Sequence, residues 1–459
     1  MLLHVHKLTS IKKGTVIAMS LKYAEHLSNL VRCETISNAD KTKVNQSEFE
    51  KLHNYIEKAW PLLSNALEKQ VLGENYLLYK WKGKRREILP VLLLAHQDVV
   101  PVGDVSGWKY SPFEGIIKDG YVWGRGASDC KSVLVSILEA VEELLQEGFE
   151  PDYDVYLGFA DDEELQGVEK KGAQIAVDYL KEQGIRLGAV LDEGGGISVI
   201  EQDGEKIYIA NVALNEKAYA DYEIVKETEG GHAMRPGKGS GLGDVARGIV
   251  AIEDNPLPYK LTELVKKQLI AGAILYEKEK RVIFENPEKY WDDLVELAKS
   301  DASLDALLHT TNAVTMAYGS KQSNVLPERA GAVINTRILP GDKPEEIEDY
   351  LKKLLPVGVQ LRTLAKEFVS LESSTEGKGY ETLSEALINL YGQQVVIVPS
   401  LVLGGTDSRY FTQISNQVFR FTGLLQTNED LKCHGIDEHF PYDAIEYGVR
   451  FYKEFIKQY

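Results

Sequence analysis

At 459 residues, with 44 % hydrophobic and 27 % charged side chains, the chain is long enough for two or three domains, and its ordinary composition excludes wholesale disorder and a membrane-spanning bundle. Asp and Glu number 70 against 52 Lys and Arg, and the net charge of −18 repels phosphate backbones and anionic lipid, so neither nucleic acid nor membrane is an expected partner. Three cysteines, Cys33, Cys130 and Cys433, show no CxxC spacing, and no apolar run near Lys7, Lys12 and Lys13 reaches the length of a signal segment, which makes the reducing cytoplasm the expected location.

From residue 20 to about 210, helices alternate with short apolar runs, the pattern of an α/β sheet. Residues 89–94 (LPVLLL) read as a strand buried on both faces and end at Ala95-His96-Gln97-Asp98. Val133, Leu134, Ile137, Leu138, Val141, Leu144 and Leu145 recur at helical spacing and stop at Gly148, with Asp129 just ahead of the first turn. Val155, Leu157 and Phe159 alternate into Asp161-Asp162-Glu163-Glu164, and 189–191 is a further strand running into Asp192-Glu193-Gly194-Gly195-Gly196. The pattern then changes. Residues 218–226 alternate like a half-exposed strand before Gly230-Gly231-His232, 244–252 read as a helix, 253–309 as a charged, mostly helical stretch, and 313–318 and 330–339 as strands. These features predict a larger domain in two parts, 20–213 and 356–459, interrupted by an inserted α+β domain at 214–355. In the last part, 394–403 is an apolar strand leading to Gly404-Gly405-Thr406-Asp407, and Tyr442, Ile445, Val449, Tyr452, Phe455 and Ile456 mark a closing helix.

His96, Asp98, Glu163, Glu164, Asp192 and Glu193 directly follow apolar runs, at the strand ends where open α/β sheets bind ligands. Carboxylates crowded there repel one another unless cations neutralise them, which points to a metal site. Each piece alone has a plainer reading: His-x-Asp as a hydrogen-bonded loop pair, Asp129 as a helix N-cap, 161–164 as a solvated acidic turn, 192–196 as a turn, and His434 as one of nine histidines. Their shared edge favours the metal. The glycine-rich stretch 237–243 lacks the preceding strand and the Lys-Ser/Thr of a phosphate loop, and reads as a flexible turn.

The segments LLLAHQDVVPV, GWKYSPFEGIIKDGYVWGRGASDCKS, FADDEELQG, VLDEGGG, GGHAMRPG, GGTDSRYF and CHGIDEHF, in this order and spacing, resemble the di-zinc exopeptidase and amidohydrolase family (metallopeptidase family 20). The resemblance spans about residues 23–455 and is nearest to carboxypeptidase S and aminoacylase-like members; Leu165-Gln166-Gly167 departs from the family's commoner Val-Gly-Gly. It implies an α/β fold with a zinc-exopeptidase-like catalytic domain, a central mixed sheet flanked by helices, and an inserted α+β lid or dimerisation domain.

The resemblance also implies roles. His96 would bind one zinc, with Asp98 orienting its ring. Asp129 would bridge two zinc ions, Glu164 and His434 would complete the second, and the Asp192-Glu193 pair the first, with Asp192 preferred. Cobalt or manganese could replace zinc. Glu163 is the implied general base, since neighbours on an extended segment face different ways. His232, whose plainer reading is a buried turn histidine, resembles the lid histidine that reaches a tetrahedral oxyanion, in some relatives from the partner subunit of a homodimer. Asn324 and Arg337 fall where relatives place substrate contacts. Gly405, Thr406 and Arg409 could hold a substrate carboxylate in a glycine-rich turn, with a structural ion pair as the alternative for Arg409. Cys130 and Cys433 flank Asp129 and His434 but are not expected ligands. The implied activity is hydrolysis of the amide or peptide bond of short peptides beside a free carboxylate, as in a Gly-Xaa carboxypeptidase or dipeptidase. Hydrolysis of N-acyl amino acids is the alternative, and a non-catalytic scaffold of the same fold the rival.

Overall fold

The computed structural model describes residues 19–165, 167–202, 204–426 and 431–459; the N-terminal lysines discussed above and Gln166 lie outside the described residues. Two compact units make up the chain. One holds the described residues up to Leu214 together with Glu372–Val398 and Thr406–Tyr459, the other Asn215–Leu371 and Pro399–Gly405.

The first unit is organised by a mixed sheet, nine-stranded among the described residues. Val91–His96 runs parallel to Val155–Ala160 on one side and to Ala189–Asp192 on the other, and Val418–Arg420 extends the parallel run. Tyr76–Trp81 and Glu68–Leu72 close one edge antiparallel, and Glu205–Glu216 with Ile197–Gln202 lies towards the other. All six residues of Val91–His96 and all six of Val155–Ala160 are buried. Leu92, Leu94 and Tyr156 share a core with Ala173, Val177 and Leu180 of the Gly172–Glu182 helix, and the Ser132–Gln146 helix also packs on Val91–His96. Helices thus flank the sheet, so the alternation read at Val155, Leu157 and Phe159 widens to a continuous buried run. Each buried leucine contributes roughly 1.5–3 kcal/mol, enough to pin the register that brings His96, the 161–164 segment and Asp192-Glu193 to one sheet edge.

Ser132–Gln146 ends at Gly148, whose φ of +71° is readily reached only without a Cβ. Its N-cap is Lys131, without a side-chain cap, so Asp129 is left available for other contacts. The closing helix, Ile445–Gln458, packs along it.

The second unit carries a four-stranded antiparallel sheet in the order Thr311–Tyr318, Arg329–Ile338, Ala218–Glu227, Gln360–Lys366. Tyr222, Ile224 and Ile334 pack with Val245 and Ile252 of the Gly241–Glu253 helix and with Ile347 and Leu351 of Pro344–Leu354. Ser240, from the glycine-rich stretch, caps Gly241–Glu253 by accepting from the Gly243 N–H at 3.1 Å. The boundary at 355 falls inside this unit, because Gln360–Lys366 is its fourth strand. That strand is largely exposed, so no apolar alternation marks it in the sequence. No described helix is long and apolar enough to cross a membrane.

Candidate metal centre

His96 closes its strand fully buried. Its Nδ1 donates to the Asp98 carbonyl at 2.9 Å and lies 3.5 Å from the Asp98 carboxylate. A carbonyl can only accept, so the proton sits on Nδ1 and the Nε2 lone pair is left for a metal in the neutral ring. Nε2 lies 3.0 Å from Asp129 Oδ1 and 3.5 Å from Glu193 Oε1. The other Asp129 oxygen, Oδ2, is 3.1 Å from His434 Nε2, which also meets Glu164 Oε1 at 3.0 Å. Two candidate ligand groups result, one of His96, Asp129, Cys130 and Glu193 and one of Asp129, Glu164 and His434, and each brings its donor atoms within 4.8 Å of one another. Asp129 belongs to both.

The electrostatics are those of a site with too much negative charge. Burial, reinforced by Asp129, Asp192 and Glu164, pushes the Glu193 carboxyl well above the usual range despite His96. Burial disfavours a charged His96, yet Cys130, Glu193, Asp129 and Asp98 together hold its pKa well above the ordinary value. Asp129 and Glu164 raise His434 to about 10. Asp129, against the effect of burial, is held below the carboxylate range by His434 and His96. Imidazole and carboxylate donors in this density fit divalent zinc-type ions. Burial raises the Cys130 thiol well above its normal value, and its sulfur meets the main-chain N–H of His96 at 3.1 Å; it is a packed thiol beside the donors. Cys433 is exposed and 3.2 Å from the Ser128 hydroxyl; desolvation by its surroundings, with Asp129, Glu438 and Glu193, raises its thiol to about 11.

Of the Asp192-Glu193 pair, where Asp192 was the preferred ligand, it is Glu193 that faces His96. The Asp192 carboxylate accepts from the Glu193 N–H and the Ser408 N–H, both at 2.9 Å, and so holds the turn after Thr406 while Glu193 reaches His96. At the expected cradle for a substrate carboxylate, Ser408–Phe411 is a single short turn of helix whose first N–H is engaged by Asp192. Thr406 and Ser408 hydroxyls meet at 2.6 Å, and buried Arg409 donates from Nε to the Thr406 carbonyl at 2.8 Å. These side chains build the turn. Gly405 belongs to the Pro399–Gly405 segment of the second unit.

Asp98 has a second task that spacing did not reveal. Its two oxygens accept from the Glu163 and Glu164 N–H groups at 3.1 and 3.2 Å, fixing the acidic pair in the same move that orients His96. Burial, with Asp407 and Glu193, raises Glu163 well above the usual range against Lys171 and His96. Lys171, which no motif singled out, donates to the Glu163 carbonyl at 2.6 Å and lies 3.5 Å from Asp407. Burial, with Asp162, Asp192 and Asp98, pushes the Asp407 carboxyl up to about 7 against Lys171. A cleft of about 570 Å³ adjoins the centre, with Asp129, Glu193 and Cys433 on one part and Val133, Leu424, Leu425, Leu431 and Phe440 on another.

In the second unit, His232 is exposed on the short strand Gly231–His232, paired with Val325–Leu326, so the buried-turn reading does not hold. Its Nδ1 accepts from the Met234 N–H at 3.1 Å. His232 and Asn324 line one cleft of about 500 Å³ within this unit. Arg337 does not line it; it lies over the Tyr219 ring at 5.0 Å and donates to Asn335 at 3.2 Å.

A model of Peptidase family M20/M25/M40 matches residues 92–458. "Probable carboxypeptidase S-like 2" of Dictyostelium discoideum is 31 % identical over 446 residues, covering 95 % of this chain and 85 % of its own length. "N-fatty-acyl-amino acid synthase/hydrolase PM20D1" of Xenopus tropicalis is 29 % identical over 439 residues, covering 94 % and 85 %. Among solved structures, the M20 family metallo-carboxypeptidase Sso-CP2 from Sulfolobus solfataricus superposes with a TM-score of 0.69 at 20 % identity, covering 95 % of this chain and 98 % of that one, a likeness of fold. With the family pattern running through nearly the whole sheet and its carboxyl edge, the chain belongs to peptidase family M20/M25/M40 and is a hydrolase of the metallopeptidase type.

Proposed function

We propose that the protein is a two-zinc hydrolase that cleaves the amide or peptide bond of short peptides beside a free carboxylate, as a Gly-Xaa carboxypeptidase or dipeptidase does. The observation that carries this reading is the sharing of Asp129, one oxygen toward His96 and the other toward His434. His96, Glu193 and Asp129 would hold one ion, and Asp129, Glu164 and His434 the other. Ions bound there supply Lewis acidity and lower the pKa of water. Glu163 is the residue that takes a proton during attack and returns it to the departing amine; a carboxyl raised by burial is suited to both steps. Asp98 and Lys171 keep that carboxylate in place by holding its main chain. His232 would donate to the oxyanion, from its own chain or from the partner subunit of a homodimer.

The apolar wall of the cleft, Leu424, Leu425, Leu431 and Phe440, supports a second reading, hydrolysis of N-acyl amino acids, in keeping with the name of the Xenopus tropicalis relative. Three free thiols support residence in the reducing cytoplasm. The test is metal analysis of the purified protein together with hydrolysis of Gly-Leu-type dipeptides, N-acetyl amino acids and N-fatty-acyl amino acids. Two zinc ions per chain with zinc-dependent turnover are expected; no metal and no turnover on any substrate would leave a scaffold. Mixing inactive His232→Ala and Glu163→Gln variants should restore activity if His232 acts across a dimer.

A further inference from the structure

We propose that the buried Arg125–Glu438 ion pair is a positioning device that locks the Asp129 and His434 loops together, setting the separation of their donor atoms. The proposal rests on the two-ion reading above. Arg125 Nη1 meets Glu438 Oε2 at 2.6 Å, with 3 % and 0 % of the side chains exposed. Each partner then reaches a different ligand. Glu438 Oε1 accepts from the Ser128 N–H at 2.9 Å and the Asp129 N–H at 3.1 Å. Arg125 Nη2 donates to the His434 carbonyl at 3.2 Å and the Gly435 carbonyl at 3.1 Å. The Gly124 N–H donates to the Glu438 carbonyl at 2.8 Å, and the guanidinium lies 5.3 Å over the Trp108 ring, so the pair is anchored on both strands of chain that it joins.

The His434 loop needs such a hold. Lys432, His434 and Asp437 adopt φ of 59°, 60° and 63°, a left-handed conformation that non-glycine residues keep only when their surroundings impose it. Stability alone does not explain the pair, because a buried ion pair is commonly replaceable by apolar residues without loss. What an apolar pair could not supply is four directed hydrogen bonds to two ligand-bearing segments separated by about 300 residues of sequence. Arginine's planar fork makes this geometry available; lysine's single ammonium does not.

The test compares Arg125→Lys, which keeps the charge and loses the fork, with Arg125→Met combined with Glu438→Gln, which removes both charges while keeping an acceptor for the Ser128 and Asp129 N–H groups. Two readouts are taken on the full chain: zinc affinity by competition with a chelator, and amide hydrogen exchange of residues 431–439 in the zinc-free protein. Both variants should bind zinc at least about tenfold more weakly and exchange the loop amides faster, with far-UV circular dichroism unchanged. If Arg125→Lys fails to fold, the double variant, which leaves no unpaired buried charge, decides. A folded variant with wild-type zinc affinity and wild-type loop exchange overturns the proposal. Faster loop exchange in a chain whose wild-type form takes up no zinc would keep the positioning and overturn the two-ion reading instead.

Discussion

The two ligand groups of the candidate metal centre are assembled by opposite means. His96 sits at the end of a strand buried on both faces, 1 % exposed, with its ring turned by the Asp98 carbonyl. His434 is 53 % exposed on a loop with left-handed residues on either side and at the ligand itself. A strand end aims its side chain by burial and a hydrogen bond two residues away, whereas the loop takes its hydrogen bonds from a distant segment. On the proposed two-ion reading, the buried half would be pre-formed and the exposed half conditional on its supports.

That contrast can be pressed from both sides. The largest effect is expected at the residue that belongs to neither half: Glu163→Gln should leave both halves loaded with metal while turnover falls about 10²–10⁴-fold, and appreciable activity in that variant would remove Glu163 from the proton-transfer role. Asp129→Ala should drain both halves, whereas His434→Ala should leave close to one zinc per chain; elemental analysis giving the same stoichiometry for the two variants would end the idea of a shared bridge. A smaller and graded effect is expected from pH. In the zinc-free protein the carboxylates of Asp129 and Glu164 raise His434 to about 10, so below that pH zinc must displace a proton. Affinity at the exposed half should then climb by about tenfold per pH unit through the neutral and mildly alkaline range, with proton release seen by calorimetry in buffers of different ionisation enthalpy; a flat profile would contradict it. The smallest change concerns Asp192. Asp192→Asn should keep full zinc content and lower unfolding free energy by about 1–3 kcal/mol, through weakened bonds to the Glu193 and Ser408 N–H groups, as measured in urea, while Glu193→Gln should weaken zinc at the buried half.

His96, Asp98, Glu163 and Glu164 were readable because apolar runs end abruptly in acid or imidazole, and such runs are strands whose carboxyl ends meet at one edge. Asp192 against Glu193 was not readable. The two differ by a single position, and what sets them apart in the fold is the bond from the Ser408 N–H to Asp192, made 216 residues further along the chain. At the turn 404–409, likewise, the bond between the Ser408 N–H and Asp192 leaves no mark in the local sequence. Glu438 stood within a recognised motif but had no assigned role, since its partner Arg125 lies 313 residues away. The edge strand Gln360–Lys366 escaped notice because it buries little.

By itself, then, the order of residues determined which side chains arrive at the sheet's rim, because hydrophobic burial sets strand placement and each strand's last residues follow with it. Only tertiary structure decided which of those acids face the imidazoles and which brace the backbone. Hydrogen bonds between segments far apart in sequence have no local signature, and they alone turn one carboxylate toward an imidazole and its neighbour toward an amide.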